Sequence, residues 1–329
     1  MVKRPKIAIV GAGLVGAGWT LVFARAGYET RVFDPDPKVR DSVFSWAADT
    51  AAELHDIGLA GPADSVLPHI NVVDRLDEAL DGADYVQESV YEALDAKIDV
   101  SREIDAALND GAVVGSSTSG FPASKFTQDC RNRDRFLVAH PVNPPHLVPV
   151  VELVPAPWTC PDALAFVRDL MDELGQMPVT LTSEVDGFIL NRLQGALLNE
   201  AFALYADGLA SLRDIDATIS HGLGLRWCFM GPFETIDLNA PGGLADYADR
   251  LGAMYFHFAQ QRTPAPWDKD AVQSAHRDLR ATSDTTALHH RRGWRDGVLM
   301  RLAKFKLDQN LSTAARKANG LNALEGNSP

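Results

Sequence analysis

Two periodicities divide the chain. Up to about position 185, short apolar runs alternate with longer stretches whose apolar residues recur at helical spacing. The run from Lys6 to Val10 reads as a strand buried on both faces, because it lacks the in-and-out alternation of a half-exposed strand. A helix is predicted from Leu14 to Ala26, with Gly27 placed to end it. Further strands are predicted at Thr30–Phe33, Ile70–Val73, Tyr85–Gln87, Ala112–Gly115, Phe136–Ala139 and Val148–Val154. Helical patterns over Val39–Leu59 and Leu94–Leu108 separate them. Strands alternating with helices predict an α/β fold: a doubly wound parallel sheet with helices on both faces.

After about Val185 the short runs stop. Between Phe188 and Leu209, the residues Ile189, Leu193, Leu197, Ala201 and Leu204 share one helical face. Helical patterns continue at Ala240–Gln261, Lys269–Ala281 and Leu288–Leu307, and no strand is predicted among them. Ser211 followed by Asp214 resembles a capping box, although Asp is a weaker third-position partner than Glu. The expected organisation is therefore a sheet domain over 1–185 and an all-helical domain over 186–308. A small, polar tail over 309–329 is expected to be frayed.

Composition narrows the setting. A chain of 329 residues, 46% hydrophobic and 23% charged, is long enough for two globular domains. Its net charge of −13 argues against nucleic acid or an anionic membrane as partner, and an anionic substrate would need local cations to hold it. Cys130, Cys160 and Cys228 are far apart, so they form neither a metal-ligand cluster nor a disulfide framework. They suit a reducing compartment, and the first strand begins too early for a signal peptide. No apolar run reaches the length of a membrane span. A soluble, cytoplasmic protein is expected.

The first chemical signal is Gly11-Ala12-Gly13-Leu14-Val15-Gly16. This spacing is weak alone, but here it follows a strand and opens a helix. Gly11 permits the tight turn, Gly13 lets the backbone approach a pyrophosphate, and Gly16 lets helix pack on strand. The first helical turn, with Leu14 and Val15, presents free N–H groups to the phosphates. Asp34 ends the second strand, where a carboxylate holds the adenosine ribose hydroxyls and repels an added phosphate. The expected fold is thus Rossmann-type and the expected cofactor NAD rather than NADP. A cap on the next helix also fits Asp34, with Asp36 competing for that role.

A second constellation follows the later strands. His140 leaves a strand into the turn Pro141-Val142-Asn143-Pro144-Pro145, and Glu152 stands twelve residues on, in the next strand. A histidine with a carboxylate partner makes a general base whose protonated form is stabilised. Ser116-Ser117-Thr118-Ser119 supplies hydroxyls at another strand end, and Asn191 opens the first helix of the second domain. Each has a plainer reading: a structural histidine, a serine helix cap, an asparagine bonding between domains.

Taken together, Ser117-Thr118-Ser119, His140-Pro-Val-Asn-Pro-Pro145, Val151-Glu-Leu-Val154 and Gly187-Phe-Ile-Leu-Asn-Arg192 resemble the L-3-hydroxyacyl-CoA dehydrogenase superfamily, from Lys6 to about Lys306. The resemblance implies that His140 is the general base and Glu152 its orienting partner. It implies that Ser119 and Asn191 bond the reacting oxygen and that Asn143 lies beside the nicotinamide. Glu92 and Lys97 match the family's pair that borders the cofactor, although a solvated helix face also fits Lys97. The resemblance further implies that the helical domain forms a homodimer interface.

Two features bear on the substrate. In the superfamily the excursion after the second strand contributes to CoA binding. Here, over Lys38–Ile70, two basic residues stand against five acidic ones, a net of −3. Such a surface repels a phosphate-rich tail. Arg226, in Gly222-Leu-Gly-Leu-Arg-Trp227, stands where acyl-CoA members carry an aromatic residue and proline. An arginine can grip a carboxylate through two parallel hydrogen bonds, and an interface salt bridge is the plainer reading. The expected substrate is a small free L-3-hydroxy acid. A 3-hydroxyacyl-CoA, a keto ester, or a non-catalytic structural role are the alternatives.

Overall fold

The computed structural model describes residues 4–282, 284–309 and 311. Strand β1 (Ile7–Val10) leads through the glycine turn into helix α1 (Leu14–Arg25), and β2 (Thr30–Phe33) follows. Helix α2 (Pro37–Ile57) and the short α3 (Ala63–Val66) precede β3 (Ile70–Val72). Then come α4 (Leu76–Leu80), β4 (Tyr85–Glu88), α5 (Leu94–Ala107), β5 (Val113–Ser116) and β6 (Phe136–Pro141). Strand β7 (Val150–Pro155), helix α6 (Pro161–Glu173) and β8 (Met177–Thr180) complete one sheet of order β3-β2-β1-β4-β5-β6-β7-β8.

Alternate residues of β1 show why helices cover both faces. Ile7 and Ile9 join a core with Trp19, Phe23, Ala47, Leu54, Val167 and Met300. Ala8 and Val10 point the other way, to Leu80, Val86, Ile104 and Phe136. Gly27, at φ +80°, turns the chain out of α1 as the sequence predicts. Asp36 accepts from the Lys38 N–H and is the cap of α2, so Asp34 is free of that duty.

The sheet departs from the expected all-parallel order at one point. β6 and β7 pair antiparallel, with His140 directly opposite Glu152. The physical reason is connection length: residues 142–149 are too few for the crossover that parallel neighbours require. β8, parallel to β7, was not predicted from the sequence. It is a four-residue edge strand containing Pro178, which edge strands tolerate and whose composition signals no strand.

The chain divides into two compact units, one holding residues up to Arg192 and from Gly293 onward, the other Leu193–Arg292. This differs from a boundary at 185 and a second domain running to 308. Helix α7 (Leu190–Ala206) begins within the first unit, and α13 (Leu288–Asp308) ends within it, because Met300 is buried in its core. Between these lie α8 (Leu212–Thr218), α9 (Gly224–Trp227), α10 (Pro232–Asp237), α11 (Gly243–Gln260) and α12 (Lys269–Thr282), with no strand among the described residues. The Ser211 hydroxyl oxygen accepts from the Asp214 N–H at 3.1 Å, and its proton goes to the Asp214 carboxylate at 2.6 Å. Ser211 therefore makes its half of a capping box, while the Asp214 carboxylate bonds the Ser211 hydroxyl. Apart from Gln309 and Leu311, the expected tail lies outside the described residues.

Candidate active site and cofactor cradle

The glycine turn is shaped by close approaches that only glycine permits. Gly11 has φ +93°, and a Cβ there would stand 2.6 Å from the Ser89 carbonyl. A Cβ on Gly16 would collide with the Gly11 carbonyl oxygen, whereas one on Gly13 would meet nothing within 4 Å. Gly11 and Gly16 thus close the turn on itself, and Gly13 faces open space. No side chain caps α1, so the N–H groups of its first turn, at Leu14 and Val15, stay available to an anion. Asp34 accepts the Ala12 N–H at 2.8 Å and the Asp36 N–H at 2.9 Å, one on each oxygen. These bonds orient the carboxylate beside the turn, and each oxygen keeps a lone pair for a ribose hydroxyl. The cradle fits a dinucleotide.

At the carboxyl end of β4 lies a charge cluster built around a buried lysine. Lys97 is 1% exposed, so it is not on a solvated helix face. Its Nζ is 3.1 Å from Glu88 and 3.3 Å from Glu92. Glu88 also accepts from the Val90 N–H and from the Ser116 hydroxyl. Glu92 accepts from the Thr118 hydroxyl at 2.8 Å, the Ser119 N–H at 2.8 Å, the Ser119 hydroxyl at 3.2 Å and the Gly120 N–H at 3.1 Å. Burial works to raise the Glu92 pKa, but these bonds and the Lys97 charge outweigh it and hold the carboxyl below its ordinary value. Glu88 escaped the sequence reading. Its only signal is an acidic residue closing an apolar strand, nine positions before a lysine.

His140 and Glu152 meet as an antiparallel cross-strand pair. The His140 Nδ1–H donates to Glu152 Oε2 at 2.8 Å, and both side chains are buried. Glu152 Oε1 accepts from the Ile189 and Leu190 N–H groups, at 2.7 and 2.9 Å, as α7 begins. Gly187 and Phe188 both adopt left-handed backbone angles, φ +77° and +50°. That conformation is unusual for phenylalanine. It turns the two amides towards Glu152 and lays the buried Phe188 ring 5.7 Å from the imidazole. Burial would raise the Glu152 pKa, but the His140 and backbone bonds outweigh it and lower the value. With Nδ1 bonded to a carboxylate, Nε2 is the nitrogen free to exchange a proton.

Asn191 links the two groups. Its side-chain N–H donates to the Ser119 carbonyl at 2.6 Å, within the first unit rather than between domains. One amide N–H remains for another acceptor. Asn143 is exposed at the turn after β6. Arg226 is exposed on α9 of the second unit. His140, Glu152, Ser119, Asn191, Glu92 and Lys97 are therefore joined in one unit, and Arg226 belongs to the other.

A family model described as "3-hydroxyacyl-CoA dehydrogenase, NAD binding domain" matches residues 6–185, and the corresponding C-terminal domain matches 187–283. The chain belongs to the 3-hydroxyacyl-CoA dehydrogenase family. It is an NAD-dependent oxidoreductase acting on a CH–OH group. A lambda-crystallin homolog of Bos taurus is 40% identical over 310 residues, covering 91% of this chain and 95% of that protein. An L-carnitine dehydrogenase of Streptomyces coelicolor is 37% identical over 275 residues, 83% of each. Among solved structures, an NAD+-dependent 5-formyl-3-hydroxy-2-methylpyridine 4-carboxylic acid 5-dehydrogenase aligns with TM-score 0.76 at 27% identity, covering 92% of this chain and 99% of that one.

For this dehydrogenase, the lowered Glu152 value links the site to acid stability. Folded Glu152 holds its proton less tightly than unfolded Glu152, so its contribution is complete above the ordinary value of 4.5 and is lost as pH falls through the folded value. Denaturant midpoints measured from about pH 5 to about pH 3 are expected to fall less steeply in Glu152→Gln than in the parent. Parallel slopes would show that the pair carries no such linkage.

Proposed function

We propose that this dehydrogenase oxidises the 3-hydroxyl of a small free L-3-hydroxy acid such as L-gulonate. The carrying observation is the surface after β2. Asp41, Asp49, Glu53, Asp56 and Asp64 are all exposed there. Of the two basic residues, Arg40 is committed to Asp74 at 3.3 Å and to the Asp34 carbonyl at 2.6 Å. Only Lys38 is left to meet a phosphate, so the surface disfavours CoA. L-carnitine, named for one of the relatives, is itself a free 3-hydroxy acid.

NAD, when bound on the Gly11–Gly16 cradle, supplies the hydride acceptor. His140 Nε2 takes the proton of the 3-hydroxyl in oxidation and returns it in reduction. Glu152 stabilises the imidazolium and fixes its tautomer. The second Asn191 amide N–H and the Ser119 hydroxyl, once turned from its long bond to Glu92, steady the reacting oxygen. Glu92, Lys97 and Asn143 border the cofactor.

His140→Gln is expected to keep NADH affinity while turnover falls about 10²–10⁴-fold. Near-parental turnover would remove His140 from the role of base. A spectrophotometric comparison of L-gulonate, L-carnitine, 3-hydroxybutyrate and 3-hydroxybutyryl-CoA should give the highest kcat/KM on a free acid. Preference for the thioester would refute the substrate reading.

A second copy of the chain is the expected partner. Helices α7 and α11, of 17 and 18 residues, bury no residue, and Tyr255, Phe256 and Phe258 are at least half exposed. Helices of this length need an apolar face covered. Light scattering should return twice the 35.7 kDa chain mass, and a monomer would refute the dimer.

A further inference from the structure

A buried polar chain runs along one face of β4 to its carboxyl end and takes no part in the proton path. The Tyr85 hydroxyl donates to Gln87 Oε1 at 2.6 Å. Gln87 Nε2 donates to the Ser117 hydroxyl oxygen at 2.7 Å and to the Ala139 carbonyl at 3.3 Å. Ser117 Oγ and Ser89 Oγ are 2.8 Å apart. Tyr85 and Gln87 are fully buried, whereas Ser89 and Ser117 are half-buried at the ends of β4 and β5.

The direction of the chain is fixed. A carbonyl only accepts, so the Ala139 oxygen requires the Gln87 amide to face it with Nε2. Oε1 then faces Tyr85. Ser117 Oγ accepts from Gln87, and the contact between the two serines consumes one hydroxyl proton. One O–H of the pair is left over. Its position is informative: the Ser89 carbonyl is the group that a Cβ on Gly11 would strike, so Ser89 flanks the glycine turn. Gly115 is shaped for the chain as well, since a Cβ there would collide with the Tyr85 hydroxyl and stand 2.8 Å from the Ala139 Cβ. A fully bonded buried glutamine that ends on two half-buried hydroxyls beside a dinucleotide cradle is more than packing.

We propose that Gln87 is a positioning residue for cofactor binding, holding the Ser89–Ser117 hydroxyl pair so that one O–H donates to an acceptor oxygen of the bound dinucleotide. This rests on the assignment of the Gly11–Gly16 cradle. The same amide, bonded to the Ala139 carbonyl, tethers the strand that carries His140.

The test is calorimetric titration of NADH into the full chain without substrate. Ser117→Ala and Gln87→Met should each weaken NADH binding by about three- to tenfold, the range for one hydrogen bond. The double variant should bind no more weakly than the weaker single one, because Gln87 acts through Ser117. Parental affinity in Ser117→Ala, or losses that multiply in the double variant, would overturn the proposal. If Gln87→Met fails to fold, Ser89→Ala and Ser117→Ala decide it: loss in both supports the proposal, and parental affinity in both overturns it. Failure of the parent itself to bind NADH would instead overturn the cradle, and the proposal with it.

Discussion

The site depends on one buried carboxylate. Glu152 sits in the sheet interior, where an unpaired charge would cost several kcal/mol. Each of its oxygens has a defined partner: the His140 imidazole on one side, and the first amides of α7 on the other. A helix N-terminus favours an anion through its free N–H groups and its dipole. The same charge therefore fixes the tautomer of His140 and the point at which the chain enters its helical part. The left-handed angle at Phe188 is the local strain that this arrangement sustains, and Gly187 takes the same turn without strain.

A second polar thread runs into the first. Lys97 lies between Glu88 and Glu92, Glu92 gathers the amides and hydroxyls of the loop after β5, and the Ser119 carbonyl accepts from Asn191. Asn191 follows the two residues whose amides bond Glu152. Hydrogen bonds, with one covalent step along the backbone from Asn191 to Leu190, thus join the ends of β4 and β5 to His140. Such networks are stable when every buried group is bonded and costly when one partner is lost. This explains why so many ionised residues can crowd one region of an otherwise apolar sheet.

Much of this was legible in the sequence because it is written in local rules. The Gly11–Gly16 spacing encodes steric exclusions within a single turn, and the structure shows those exclusions at Gly11 and Gly16. Asp34 and Asp36 both fitted the cap of α2 by position, and the Asp36 bond to the Lys38 N–H separates them only in the structure. His140 and Glu152 stood out as a histidine and a carboxylate on consecutive strands. Glu88 and Gln87 did not stand out, since nothing local distinguishes a polar residue closing a buried strand from one facing solvent. Lys97 was ambiguous for the same reason, because burial of a lysine is decided by partners distant in sequence.

What the sequence determined alone was the set of elements with a period, the cofactor turn, and the types of residue available for acid–base chemistry. These follow from backbone sterics and from burial patterns within a few residues. The tertiary structure decided the rest. The short link from 142 to 149 reverses β7 against β6, and only that antiparallel register sets Glu152 directly opposite His140. The edge strand β8, the return of α13 to the first core, and the Tyr85–Gln87–Ser117 chain likewise depend on contacts between residues far apart in the chain. Their energy comes from neighbours that folding alone brings together, so no window of sequence contains it.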